Sequence, residues 1–403
     1  MPIGVLSSYF ESYLVGGLDT FTYQLINNWD NRDQLVLLCN KSHSGAKFFK
    51  DKITNPNCKV ELYSMSMVSD WEVNIANRHL ARLVHILSYL LHVPYYVLCG
   101  YRILKLSRFT HLYVINGGYP ACTSSRCIAI SWWLYTGKKS LHNFHNLAVK
   151  SHFPNMIIDS VIDKLLIKAT SCFVSVSKVS AESLRVRNAF KSLENITYIY
   201  NGTSDNIVKP SFSLKTKLNL DEKSRILMML ATYEERKGHK FIIDVLDKIV
   251  AVMSDVHVVF VGYGTEEDVQ NVEAYAKNKH LKQYVHCLGY TTNAMEYLAQ
   301  TDLVLIGSQG FESFGLTSVE AMKYHKVVLS TNVGGLKEVI KDGFGGFLFA
   351  QNDVAGMADK VVELLGNKTM MEEQEKLGFQ RYKDYFTAKR VSDDYRKLLL
   401  SSC

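Results

Sequence analysis

Short β-branched or apolar runs alternate with longer amphipathic stretches along the whole chain. In the first half the runs fall at 3–7, 34–39, 111–116, 140–142, 172–175 and 196–200. Each has the length of a strand, and helical lengths of chain lie between them. That order predicts a parallel sheet joined by crossover helices. The alternation restarts after Asn201, with runs at 225–230, 256–262, 285–288, 303–306, 327–330 and 346–349. Two similar α/β domains in tandem are expected. The stretch from Gly202 to about Leu220 is rich in Ser, Thr, Asn and Lys, contains Pro210 and carries little periodicity, so it reads as a linker. From Phe386 onward the pattern is helical with no further strand. The expected boundaries are 1–203, 204–385 and a terminal helix over 386–403.

Composition narrows the class. The chain has 403 residues, 47% hydrophobic and 21% charged, with only 6 prolines, a balance that buries cores rather than remaining disordered. Its 8 cysteines are scattered without a Cys-x-x-Cys pair, which favours reduced thiols, a cytosolic setting and no zinc site. No basic residue precedes the first apolar stretch and Glu11 follows soon after, so the N-terminus reads as a buried strand rather than a signal peptide.

Charge is uneven. Residues 1–200 hold 21 Lys and Arg against 12 Asp and Glu, and the rest of the chain is close to balance. No acid occurs between Glu72 and Asp159, whereas Arg78, Arg82, Arg102, Lys105, Arg108, Arg126, Lys138, Lys139 and Lys150 do. Such a field attracts nucleic acid, an anionic leaflet or a phosphorylated substrate. The aromatic and aliphatic residues interleaved with it favour an anionic membrane surface over nucleic acid. Residues 83–101 carry no charged side chain, nearly the length that spans a bilayer, but Pro94, two histidines and the flanking Arg82 and Arg102 suit an interfacial helix better. Buried core, interfacial surface and spanning helix all stay open for this segment.

The most specific chemistry lies in Gly310-Phe-Glu312-Ser-Phe-Gly-Leu-Thr-Ser-Val-Glu320, which follows one predicted strand and opens a helix. Amides at a helix start near Gly315 stabilise a diphosphate, and Glu312 and Glu320 are expected to face one pocket at different depths. Glu320 suits ribose hydroxyls, as acids do in dinucleotide folds. Taken singly, either acid is equally well a surface glutamate. Glu234-Glu-Arg236-Lys237-Gly238 sits at another strand end, where its cations suit phosphate, though such a pentad alone is commonly a solvated turn. Gly16 and Gly17 after the first strand let backbone approach an anion, or serve a turn that needs positive φ. Leu141-His142-Asn143-Phe-His145-Asn146 offers imidazoles and amides to sugar hydroxyls. Gly334-Gly335 marks a turn. Asp-x-Asp is absent from the sequence, so divalent-metal dependence is not suggested.

Taken in order, these motifs resemble the retaining GT-B glycosyltransferases of family 4, also called glycosyl transferases group 1, over nearly the whole chain. The series is Gly16-Gly17, Leu141-His142-Asn143, Val174 to Ser177, Ile199 to Gly202, Arg236-Lys237-Gly238, Val261 to Gly264, Cys287 to Tyr290, Glu312 to Glu320 and Gly334-Gly335 with Glu338. The resemblance implies an α/β GT-B fold: two Rossmann-like domains facing across a cleft, with a C-terminal helix crossing back to the first. It implies transfer of a sugar from a nucleotide diphosphate sugar, UDP-linked or GDP-linked, with retained configuration and with no cofactor beyond that co-substrate. By motif match Lys237 would contact the diphosphate, Glu320 the ribose and Glu312 the sugar hydroxyls. Ser313, Phe314, Gly315, Leu316 and Thr317 would surround sugar and phosphate, and His142 would stand beside the reacting sugar. Gly289 and Tyr290 would hold the base, and Gly16 and Gly17 would approach phosphate or acceptor. Where the family has Gly-Arg before its Lys-Gly this chain has Ala231-Thr232, so the arginine contact is lost unless Arg236 replaces it.

The expected partner is a glycan or lipid-linked acceptor at the inner face of a membrane. A GT-B epimerase or hydrolase, or a degenerate transferase acting as a binding subunit, are the competing readings.

Overall fold

In the computed structural model the described residues are 3–9, 16–41, 43, 45–65, 78–104, 109–120, 122–152 and 155–401. The chain divides into two compact units, Met1–Ser204 with Ala388–Cys403, and Asp205–Thr387.

The first unit is a seven-stranded parallel sheet. Its strands are β1 (Gly4–Tyr9), β2 (Gln34–Asn40), β3 (Cys58–Tyr63), β4 (His111–Asn116), β5 (Ser140–Phe144), β6 (Thr170–Ser175) and β7 (Ile196–Tyr198), in the order β3-β2-β1-β4-β5-β6-β7. The chain direction reverses its march across the sheet between β1 and β4, where Val5 lies opposite both Leu35 and His111. Alternate residues feed two cores, as strands covered on both faces require. Leu37, Tyr113, Leu141 and Val174 pack with Phe21, Leu25 and Phe49 on one face. Val114, Phe144 and Phe173 pack with Tyr96, Ile128 and Trp132 on the other.

Strand β3 is absent from the sequence-based prediction. It is an edge strand whose Lys59 and Glu61 interrupt the apolar run, and pairing with β2 supplies what periodicity lacks. Residues 78–104 form one helix that continues through Pro94 and packs along the helix Thr123–Thr136. Among the described residues no helix is long and apolar enough to cross a membrane, which removes the spanning reading of 83–101. Lys105 and Arg108 of the basic stretch lie outside the described residues. The helix Ala388–Ser401 belongs to this unit: Val391, Tyr395 and Leu399 enter its core, Ser392 Oγ donates to Leu25 O at 2.7 Å and Arg396 pairs with Asp33 at 2.6 Å.

The second unit is a six-stranded parallel sheet of β8 (Arg225–Leu230), β9 (Val256–Val261), β10 (Val285–Leu288), β11 (Leu303–Ile306), β12 (Val327–Thr331) and β13 (Gly346–Phe349), ordered β10-β9-β8-β11-β12-β13. The order reverses between β8 and β11, so their carboxyl ends bound the crevice where open α/β sheets bind ligands. The linker is shorter than its composition suggests. Ser211 bonds to the Glu296 carboxylate through both N and Oγ, and Leu214 in the short helix Leu214–Lys217 is fully buried, so the last part of 202–220 is built into the second unit.

Candidate functional site

The loops after β8 and β11 place two charged side chains together. Lys237 ends a short 3-10 turn and Glu312 lies between β11 and the helix Leu316–Lys323. Lys237 Nζ donates to Glu312 Oε2 at 2.7 Å, with both side chains less than one-fifth exposed. They line a cavity of about 190 Å3 together with Ala231, Ser308, Gly315, Leu316 and Thr317. The free amides at the start of that helix and the Lys237 ammonium give the cavity a positive field, which suits phosphate oxygens. Thr317 Oγ1 donates to Leu230 O at 3.2 Å, tying the helix start to the end of β8.

Two glycine positions hold this geometry. Gly238 has φ +80°, and a Cβ there would lie 1.9 Å from Gly307 O, so the Lys237 turn closes against the β11 loop only because the side chain is missing. At Gly334 a Cβ would fall 2.1 Å from Glu312 O, and the next amide, Gly335 N, donates to that carbonyl at 2.8 Å. The Gly334-Gly335 turn thus positions the Glu312 backbone.

The remaining predicted residues are distributed differently. Glu320 lies one turn inside the helix, outside the lining of the Lys237 and Glu312 cavity, so the two acids do not share it. Burial pushes its carboxyl up to about 7, with Lys323 the opposing influence. Arg236 is held at the rim: Nε bonds to Glu234 Oε2 at 2.7 Å, one Nη donates to Phe311 O at 3.3 Å, and the guanidinium lies 4.7 Å from the Phe311 ring centre. It does not line the cavity. The side chain of Phe314 is 2% exposed and packs edge-on to Phe386, so that residue offers only backbone. Gly289 and the exposed Tyr290 follow β10 at the same sheet edge, away from the cavity lining. Leu288 O there accepts from the Tyr233 hydroxyl at 3.2 Å.

In the first unit the histidine assignment is corrected. His142 lies two residues inside β5, 0% exposed and stacked 4.8 Å from Phe144, and burial lowers its ring to about 3. A side chain sealed among aromatic rings does not reach a substrate. His145 is the first residue beyond the strand, at the carboxyl edge of the sheet. It packs 4.2 Å from the Phe21 ring, its Nε2 has no partner, and burial pushes it too down to about 3, so it is a neutral imidazole. Gly16 caps the helix Gly17–Asn27, with its N–H donating to Asp19 Oδ2 at 2.8 Å. Gly16 is extended, φ −154°, and a Cβ on Gly17 would meet nothing within 4 Å. Neither glycine serves a left-handed turn.

Ser308 is the cavity residue that the sequence reading missed. It is 1% exposed with an unpartnered Oγ, and it sits two residues past the end of β11. Its place beside the strand-order reversal is the signal that identifies it. Among the described residues no group of three or more His, Cys, Asp or Glu is placed to hold a metal ion.

Residues 211–384 match the family model for glycosyl transferases group 1. Among curated proteins the chain is 28% identical over 210 residues to N-acetyl-alpha-D-glucosaminyl L-malate synthase of Bacillus anthracis, covering 52% of this chain and 54% of that protein. It is 29% identical over 164 residues to phosphatidyl-myo-inositol mannosyltransferase of Mycobacterium leprae, covering 40% and 42%. The chain thus spans about half the length of the curated relatives it matches. Solved structures align over the whole fold: Anabaena HepE in complex with UDP and glucose has TM-score 0.74 at 17% identity, covering 99% of this chain and 100% of that one. A glycosyltransferase from Rickettsia africae has TM-score 0.76 at 16% identity, covering 100% and 98%.

Proposed function

Since residues 211–384 match the family model for glycosyl transferases group 1 and the two units carry the GT-B fold, we propose that this chain moves a sugar from a nucleotide diphosphate sugar to a glycan or lipid-linked acceptor. UDP is the favoured base and phosphate carrier, retention the favoured outcome, and the cytoplasmic face of a membrane the favoured place. The relatives that bear on this are the B. anthracis synthase, the M. leprae mannosyltransferase and the UDP complex of HepE.

The single observation that carries the reading is the Lys237 and Glu312 pair over a small cavity at the strand-order reversal of the second unit. In this reading the Lys237 ammonium and the amides of Leu316 and Thr317 stabilise negative charge as it develops on the departing diphosphate. Glu312 accepts hydrogen bonds from donor sugar hydroxyls, and the Ser308 hydroxyl gains the partner it lacks. Each charge of the resting pair then exchanges its protein partner for the ligand. Glu320 takes ribose hydroxyls and Tyr290 stacks on the base. His145, kept neutral by burial and with Nε2 unpartnered, offers that nitrogen to a sugar hydroxyl at the sheet edge of the first unit. The acceptor attacks from the face that the diphosphate leaves, and a phosphate oxygen takes its proton, so no side chain is needed as base.

Thermal unfolding of the purified chain with UDP, GDP, ADP and their sugar conjugates tests this, because a ligand bound by the native state raises stability by mass action. A selective upward shift with a uridine nucleotide, lost in Lys237→Ala, is the expected result. No shift with any nucleotide would remove the donor assignment. A degenerate binding subunit is the second reading, favoured by Ala231-Thr232 and by Arg236 being held at the rim. Turnover of a nucleotide sugar by the purified chain dismisses it.

A further inference from the structure

The first unit carries a surface that its own fold leaves uncovered. The helix Met156–Ala169 and the segment 185–191 border a groove of about 770 Å3, lined by Lys150, Met156, Ile157, Val161, Lys164 and Lys191 among others. The apolar members are unusually open to solvent: Ile157 is 70% exposed and Val161 54%. Ile157, Val161, Lys164 and Lys168 recur at steps of four, three and four, so one helical face is apolar at its start and cationic further on. The helix Arg78–Leu104 repeats the pattern with exposed Leu87, Leu91, Leu98 and Tyr101 along one stripe, ending beside Arg102. The Tyr89 hydroxyl donates to Asp159 Oδ1 at 2.8 Å, so the buried sides of the two helices are tied to each other and the apolar residues of each lie on the side turned away from that contact.

The groove's charge is not balanced from below. Beneath it Arg126 and Arg187 pair with Asp159 and Asp163 in a buried, self-neutralising network. Arg185 at the rim pairs with Glu182 at 2.9 Å. Lys150, Lys164 and Lys191 are exposed and have no ion pair among the described residues. Apolar side chains raised singly above a helix, beside long-stemmed lysines that act as point charges rather than fixed forks, fit a diffuse anionic layer better than a folded protein.

We infer that the first unit docks on an anionic lipid bilayer through this groove and the exposed stripe of the helix Arg78–Leu104. Leu87, Leu91, Ile157 and Val161 enter the headgroup boundary, and Lys150, Lys164 and Lys191 contact lipid phosphates. The inference deepens the proposal of a lipid-linked acceptor and rests on it. Helix Met156–Ala169 starts beyond the carboxyl end of β5, the same sheet edge as His145, so an acceptor held in the bilayer is presented on that side of the first unit.

The test is sedimentation with vesicles of phosphatidylcholine alone and of phosphatidylcholine with phosphatidylglycerol, at low and high salt. Binding to the anionic vesicles alone, weakened by salt, is expected, because each basic residue near such a surface contributes independently. The triple variant Lys150→Glu, Lys164→Glu, Lys191→Glu should lower binding roughly tenfold or more. The pair Leu91→Ser, Ile157→Ser should lower it at unchanged charge. All five positions are exposed, so the variants keep the fold, and the nucleotide-induced thermal shift on the same preparations checks this. Equal binding to neutral vesicles, full competition by free inorganic phosphate, or no sedimentation with either vesicle would overturn the inference. The last result would turn the face over to a protein partner. A retained nucleotide shift without vesicle binding removes the docking surface alone, and vesicle binding without any nucleotide shift removes the donor reading alone.

Discussion

At the scale of single residues, burial does more than sequence position to decide chemistry. His142 and His145 lie three positions apart, and both are neutral, yet one is locked in an aromatic stack and the other stands at a sheet edge. Replacing His145 by Ala is therefore expected to lower turnover by roughly the 100-fold or more typical of a lost contact to a reacting group. His142→Phe, which keeps the stack, should leave turnover nearly unchanged, and steady-state kinetics of both variants checks the assignment. Glu320 gives a pH prediction. Its carboxyl titrates near 7 in the folded chain against a usual 4.5, so between those values the folded state holds a proton that the unfolded state has released. The stability from this group is complete below about 4.5, declines as pH rises, and is lost above about 7. Glu320→Gln should flatten that decline in thermal unfolding measured across this range. If Glu320 serves ribose, the same variant also weakens nucleotide binding most at alkaline pH, where the wild-type carboxylate is charged.

Elements set the precision of the site through close approaches that no periodicity reports. Gly238→Ala forces a Cβ into the Gly307 carbonyl at a backbone with positive φ, so strain and a displaced Lys237 are both expected. Unfolding should show a loss of about 1–3 kcal/mol, and donor affinity should fall with it. The buried network under the helix Met156–Ala169 is a second such device. Arg187 donates to Asp163 from Nε at 3.0 Å and to Asp159 from Nη1 at 3.3 Å, and both carboxylates are buried. Arg187→Ala leaves Asp163 with one charged partner fewer and should cost about 3–5 kcal/mol, read by denaturant unfolding. The edge strand β3 and the short helix Leu214–Lys217 show why boundaries are harder to read than existence. The first is defined by its neighbour β2, and the second by Ser211 and Leu214 being captured on the second unit.

For the whole molecule, the terminal helix Ala388–Ser401 joins residues more than 200 positions apart: Asn143 Nδ2 donates to the Tyr395 hydroxyl at 2.6 Å, within the same core as Phe21. Deleting 388–403 would remove Val391, Tyr395 and Leu399 from the core of the first unit, uncover Phe21 and Leu25, and take from the Asn143 amide its Tyr395 partner. Calorimetry should then show the unfolding of the first unit shifted down, with nucleotide still stabilising the second. A common downward shift with loss of nucleotide binding would contradict that division.

The sequence by itself determined the number of sheets, their parallel class, twelve of the thirteen strands among the described residues and the motif order that carries the resemblance, because these follow from local periodicity and short-range spacing. It also named Lys237 and Glu312, 75 positions apart, as members of one site by resemblance. Tertiary structure decided which of two histidines reaches the sheet edge, that Glu320 stands outside the Lys237 cavity, that Arg236 is held away from it, and that Ser308 lines it. Each of these depends on burial and on contacts between residues distant in sequence, which a one-dimensional pattern does not encode. The same holds for residues 83–101: their composition left core and interface equally open, and packing resolved them into one helix with a buried side through Tyr89 and Tyr96 and an uncovered side through Leu91 and Leu98.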